Sequence, residues 1–160
     1  MSGHEREPIP LETLREWAAS PDPLLNHLAF HTAFSHPGDV SGLDEEERLE
    51  ICLRFLEAAL AGRYGERIPD GPYVLAQTTL GWLRQLRSDE RPESRAALDR
   101  ILAMLERLAR DGDDETREVV LLGVLEHAFE DEQTRALFAG WAQSPGLEGL
   151  YDEASRLAAG

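Results

Sequence analysis

Apolar residues along this chain recur mostly at three- and four-residue intervals, the period of a helix that buries one face. The clearest stripe, Leu98, Ile101, Leu102, Leu105 and Leu108, predicts a helix over 92–110. A second stripe, Leu49, Leu53, Leu56 and Leu60, with Ile51, Cys52 and Phe55 beside it, predicts another over 44–64. Its opening run Asp44-Glu45-Glu46-Glu47 complements the positive end of a helix dipole. Upstream, residues 10–20 read as a shorter helix, with Pro10 at the first position and Leu11, Leu14 and Trp17/Ala18 on one face. Ser20-Pro21-Asp22-Pro23 ends it and opens the next, which runs to Phe34 with Asp22 as cap and Leu24, Leu28 and His31 on one side. Turn residues make 35–43 a loop.

Four further helices follow. Residues 72–88 are bounded by Pro72 and by Asp89-Glu90-Arg91-Pro92, and residues 92–110 come next. Residues 115–130, capped by Asp114, carry Val119, Val120, Leu121, Leu122, Val124 and Leu125; apolar on most sides, this helix is expected to be the central buried one. Residues 132–143 carry Leu137, Phe138 and Trp141, and residues 147–158 carry Leu150, Tyr151 and Leu157. No alternating run suggests a strand. The expected fold is all-α: one domain of about eight helices over 1–160, as an irregular bundle or a short HEAT-like stack of α-hairpins, with 1–8 as a flexible lead. Trp17, Trp82 and Trp141 read as core residues or interface anchors, with at least two of the three expected in the core.

A faint repeat favours the stack. Leu49-Glu50…Leu53…Leu56-Glu57 matches Leu98-Asp99…Leu102…Leu105-Glu106 at an offset of 49, and Leu80-Gly81…Asp89-Glu90 matches Leu122-Gly123…Asp131-Glu132 at an offset of 42. Any two Leu-rich amphipathic helices can be slid into such a match. Gly81 and Gly123 would strengthen it if both allowed close approach of a neighbouring helix, since glycine inside a helix costs about 1 kcal/mol against alanine.

Charge narrows the function classes. Sixteen Lys+Arg face 31 Asp+Glu, a formal net charge of −15, and every cation is arginine. The arginines are scattered, so direct binding to a nucleic-acid backbone or an anionic membrane is disfavoured. Solubility is the plain account of the acidity; docking of a basic partner is the other. All-arginine usage fits a GC-rich bacterial genome. The single cysteine, Cys52, sits among apolar residues and reads as a small core residue that cannot form an internal disulfide. A polar start without an apolar run behind it implies no signal peptide, and no apolar stretch approaches the ~20 residues of a membrane span, so a cytoplasmic protein is expected.

Candidate chemistry is sparse, and no cofactor is expected. His27 and His31 share a helix face, and His36 in the following loop could add a third nitrogen to a metal site. The zincin motif places Glu after its first histidine, and Leu28 stands there instead. The plainer account leaves His27 at the surface and His31 half-buried. His127 with Asp131, flanked by Glu126 and Glu130, makes a second polar cluster in which the carboxylate would raise the histidine's pKa; a solvated helix face is the alternative. Asp113, Asp114, Glu115 and Glu118, together with Glu126, Glu130 and Asp131, are the candidates for docking a basic partner, because acids that converge in space make an anionic patch.

The stretch from Glu115 to Tyr151 adds a further expectation. Its order is an apolar helix ending Leu125-Glu126-His127-Ala128-Phe129-Glu130-Asp131, then Leu137-Phe138-Ala139-Gly140-Trp141, then Ser144-Pro145-Gly146-Leu147 and Leu150-Tyr151. It resembles small all-helical bacterial proteins of the polymorphic-toxin immunity type. The likeness rests on core positions over about a quarter of the chain, so it carries over no site residue. It implies a non-enzymatic inhibitor that covers a basic toxin domain. An α-helical scaffold without inhibitory activity, or a metal-dependent helical enzyme using His27 and His31, are the alternatives.

Overall fold

A computed structural model describes residues 7–160. Most of the expected flexible lead, residues 1–6, lies outside the described residues. The fold is all-α, and among the described residues the only strand-like feature is one bridge between Ile9 and Val40. Eight helices are seen there: α1 (Leu11–Ala19), α2 (Pro23–Ser35), α3 (Glu45–Leu60), α4 (Pro72–Arg87), α5 (Pro92–Asp111), α6 (114–128), α7 (Glu132–Ala136) and α8 (Glu148–Ala159). The chain divides into two compact units. One holds the described residues up to Phe55 with Glu66–Pro69; the other holds Leu56–Gly65 and Asp70–Gly160.

In the first unit, Leu14, Ala29 and Val40 are buried, and Ile9, Leu11, Trp17, Leu43 and Ile51 pack around them. Asp22 caps α2 as expected, accepting from the Leu24 amide at 3.0 Å. The Asn26 side-chain amide donates to the Trp17, Ala18 and Ser20 carbonyls, which closes the end of α1. Arg48 does the same for α2, donating to the carbonyls of Ala33 at 2.7 Å and Phe34 at 3.0 Å. Arg15 and Glu47 form a two-bond ion pair between α1 and α3, at 2.7 and 3.0 Å. The expected stripe on α2 is corrected: Leu24 and Leu28 are exposed, and the buried side carries Ala29, Phe30, Thr32 and Ala33. Phe30 wins that side because it stacks on Phe55, with ring centres 4.7 Å apart.

The second unit begins inside α3. That helix was expected to reach Tyr64, but it ends at Leu60 because Gly62 adopts φ +76°. The Arg63 amide then reaches the Ala58 carbonyl and the Gly62 amide the Ala59 carbonyl, the paired closure of a Schellman turn. Helix α6 runs as Asp114–Glu118, a π segment Val119–Leu125 and Glu126–Ala128. The Glu126 amide bonds to the Leu121 carbonyl, one residue further back than in an α-helix. Val119, Val120, Gly123, Val124 and Leu125 are buried, so α6 is central to this unit as expected. Its cap is Asp113 and not Asp114: the Asp113 carboxylate accepts from the Thr116 amide at 2.8 Å, while Asp114 is already helical.

Gly123 and Gly81 are not equivalent. A Cβ at Gly123 would sit 2.6 Å from the Ala76 Cβ, so α4 and α6 meet there at a distance only glycine allows. A Cβ at Gly81 would meet nothing within 4 Å. The glycine support for a repeat is therefore lost at one of its two positions. The expected helix over 132–143 is also broken. It stops at Ala136 and resumes as a 3₁₀ turn, Ala139–Gln143. The tighter turn aligns residues three apart, and it brings Phe138 and Trp141 edge to face at 5.2 Å, both buried. Trp82 is buried and Trp17 only partly so, which gives two core tryptophans.

Candidate functional site

The seven acidic candidates fall at the two ends of α6 and do not form one patch. At 1.5 Å per residue the ends stand about 20 Å apart. Asp113, Asp114, Glu115 and Glu118 lie at the N-terminal end, and all four are exposed. Helix logic places them there: one is the cap, and two others fill the first turn. The Asp113 carboxyl is held below the usual aspartate range, first by the backbone bond from Thr116 and then by that residue's side chain. None of the four forms an ion pair among the described residues, and the nearest arginine in sequence, Arg117, turns its guanidinium toward the Gly146 carbonyl.

Sequence reasoning missed the residue that completes this end. Tyr73, in the first turn of α4, lies against α6, with its Cδ1 3.6 Å from where a Gly123 Cβ would be. It is 43% exposed, and its neighbour Val74 is 53% exposed. Partial burial pushes the Tyr73 hydroxyl pKa up, and the charges of Glu118 and then Glu115 push it further. An aromatic ring and a valine thus stand in water beside two unpaired carboxylates. Periodicity gave little signal: Tyr73 keeps the three- and four-residue spacing of buried Ala76, Leu80 and Leu83 and so reads as core-facing, while Val74 falls outside the buried face.

The C-terminal end is built differently. The expected pair of His127 with Asp131 is corrected. His127 Nδ1 lies 3.7 Å from Glu130, and the Asp131 carboxylate is taken up by α7, accepting from the Gln133 amide at 3.0 Å and the Thr134 hydroxyl at 2.6 Å. Those bonds, Thr134 first, hold the Asp131 pKa down, and Arg87 at 3.9 Å adds to them. Arg84 donates to the His127 carbonyl at 2.9 Å, satisfying the last turn of α6. Glu126 and Asp131 are half-buried, and Glu130 is exposed. Here Asp131 has hydrogen-bonded and cationic company and Glu130 faces His127, while Glu126 forms no ion pair among the described residues.

The histidines of the first unit divide. His31 and His36 meet with ring centres 5.3 Å apart, while His27 turns its ring onto Phe55 at 5.7 Å. Their burial is also the reverse of expectation, with His27 half-buried and His31 exposed. Among the described residues no group of three or more His, Cys, Asp or Glu is placed to hold a metal ion. Cys52 is fully buried, and burial pushes its thiol up to about 12, so it packs as an apolar residue. No helix among the described residues is long and apolar enough to cross a membrane. Comparison with protein-family models, with curated proteins and with solved structures gave no match.

Proposed function

We propose that this chain is a non-enzymatic acidic binding module, and that the N-terminal end of α6 with the opening turn of α4 receives a basic protein. The observation that carries this reading is the pairing of three exposed carboxylates without an ion pair, Asp114, Glu115 and Glu118, with exposed Tyr73 and Val74. Carboxylates on a rim steer a basic partner and set the salt dependence of encounter. A tyrosine beside them supplies buried area on contact, as aromatic residues do at the centre of interfaces. A net charge of −15 extends the attraction beyond the patch.

The resemblance of residues 115–151 to immunity-type proteins gives this reading a specific form, an inhibitor that covers a bacterial toxin domain. The test is affinity capture from the host with the full chain, run beside Tyr73→Ala and a Glu115→Gln/Glu118→Gln variant. A basic protein retained by the wild type, released by salt and lost from both variants is the expected result. Retention that ignores salt, or that both variants preserve, rules the surface out.

A further inference from the structure

We infer that the outer side of α2 is a contact between two copies of this chain. Residues 23–38 contain no Asp, Glu, Lys or Arg, the longest such run in a chain with a formal net charge of −15. Helix α2 lies within that run and is apolar on nearly every side. A helix of that composition is ordinarily buried all round. Here one side is buried through Ala29, Phe30, Thr32 and Ala33, and the other stays open. Leu24 is 56% exposed and Leu28 40% exposed, and exposed His31 and Ser35 continue the same side. Their spacing of four, three and four residues is that of the seam of a helix pair, the positions whose side chains insert between those of a facing helix.

Charge selects the occupant. A basic partner gains nothing from a surface without acids, and the acids proposed to receive one lie elsewhere, at Asp114, Glu115 and Glu118. Two copies, each at −15, repel wherever acids face each other, so an uncharged helix is where they can approach. The ends of α2 set the orientation. The exposed cap Asp22 stands at its N-terminal end, and the exposed imidazoles of His31 and His36 stand toward its C-terminal end, with ring centres 5.3 Å apart. A parallel pair would bring the two Asp22 carboxylates together. An antiparallel pair sets Asp22 near the imidazole donors of the other copy and runs the two helix dipoles in opposite directions. It also places Leu28 against His31 of the partner subunit and Leu24 against Ser35 of the partner subunit, contacts that repeat through the two-fold axis. The patch is one helix face about 20 Å long. It is smaller than the ~800 Å² per partner of a standard interface, so the dimer is weak and forms as concentration rises.

The test is sedimentation equilibrium of the full chain up to about 0.5 mM, at about 0.05 M and about 0.5 M NaCl. The expected result is a monomer–dimer equilibrium with a dissociation constant of about 0.2 mM in the higher salt. In the lower salt it should be at least about threefold weaker, because salt screens repulsion between like-charged copies. Docking of a basic protein has the opposite salt dependence, so this pairing and that reading fail separately. Leu24→Glu and Leu28→Glu should each leave a monomer at every concentration while keeping the helical circular dichroism of the wild type. Glu115→Gln with Glu118→Gln should still dimerise. Under a mild oxidant, Leu24→Cys mixed with Ser35→Cys should crosslink, and Leu24→Cys alone should not. A monomer in both salts, a dimer kept by both glutamate variants, a dimer that weakens with salt, or crosslinking of Leu24→Cys alone overturns the assignment. A monomer whose Leu24→Glu variant loses a captured basic protein gives this side to that protein and overturns the pairing as well.

Discussion

The two ends of α6 carry similar numbers of acids and each lends one to a helix cap, but only the C-terminal end has arginines bonded beside it. At the C-terminal end Asp131 is bonded to Gln133 and Thr134 and lies near Arg87, while Arg84 closes the last carbonyls. At the N-terminal end only Asp113 has a structural duty, and Asp114, Glu115 and Glu118 face water without a cation. The same residue types therefore serve cohesion at one end and remain available at the other. Acid counts along a sequence do not separate these cases; the position of the neighbouring arginines does.

The contrast can be broken at its midpoint, where the largest effect is expected. Gly123→Ala should destabilise the protein by about 1–3 kcal/mol in chemical denaturation, because its methyl group overlaps Ala76. The same change at Gly81 meets open space and should stabilise by up to ~1 kcal/mol. At the C-terminal end, Arg84→Ala removes a charged hydrogen bond to the His127 carbonyl and should cost about 1.5 kcal/mol.

Acid separates the ends less, because both caps titrate in the same direction. Asp113 and Asp131 have folded pKa values below the ordinary aspartate value. Their support is therefore complete above about pH 4 and is withdrawn as pH falls through the lowered values. The unfolding midpoint should drop steadily below about pH 4, and Asp131→Asn should flatten that dependence. The smallest stability effects belong to the N-terminal surface. Glu115→Gln with Glu118→Gln should cost only about 0.5 kcal/mol while weakening capture of a basic partner. Asp111→Asn should stabilise by about 0.3 kcal/mol, since it removes an acid from a helix C-terminus.

Helix existence and most helix ends were legible because proline and glycine mark them directly, as Pro72 and Pro92 do for α4 and α5. The misreadings share a cause, competition settled only by packing. Residues 132–143 had helical spacing, but burying Phe138 and Trp141 together required a tighter turn. The stripe of Leu24 and Leu28 was real as a pattern, yet stacking of Phe30 on Phe55 put the other side of α2 inside. For the candidate site, sequence located the acids but could not tell paired from unpaired. Tyr73 escaped notice because its surroundings are made by α6, far along the chain.

The π segment at Val119–Leu125 holds one residue more than a regular α-helical path of that length would need. Deleting one residue there could be absorbed by rewinding to an ordinary helix, with both termini of the helix kept near their places. A longer or shorter variant of this chain could therefore arise at its most buried helix, a region where insertions and deletions are otherwise hardest to accommodate. The Asp114–Glu118 face would keep its rotational phase relative to Glu126–Ala128, so a single-codon event could be taken up inside the core without re-aiming that surface.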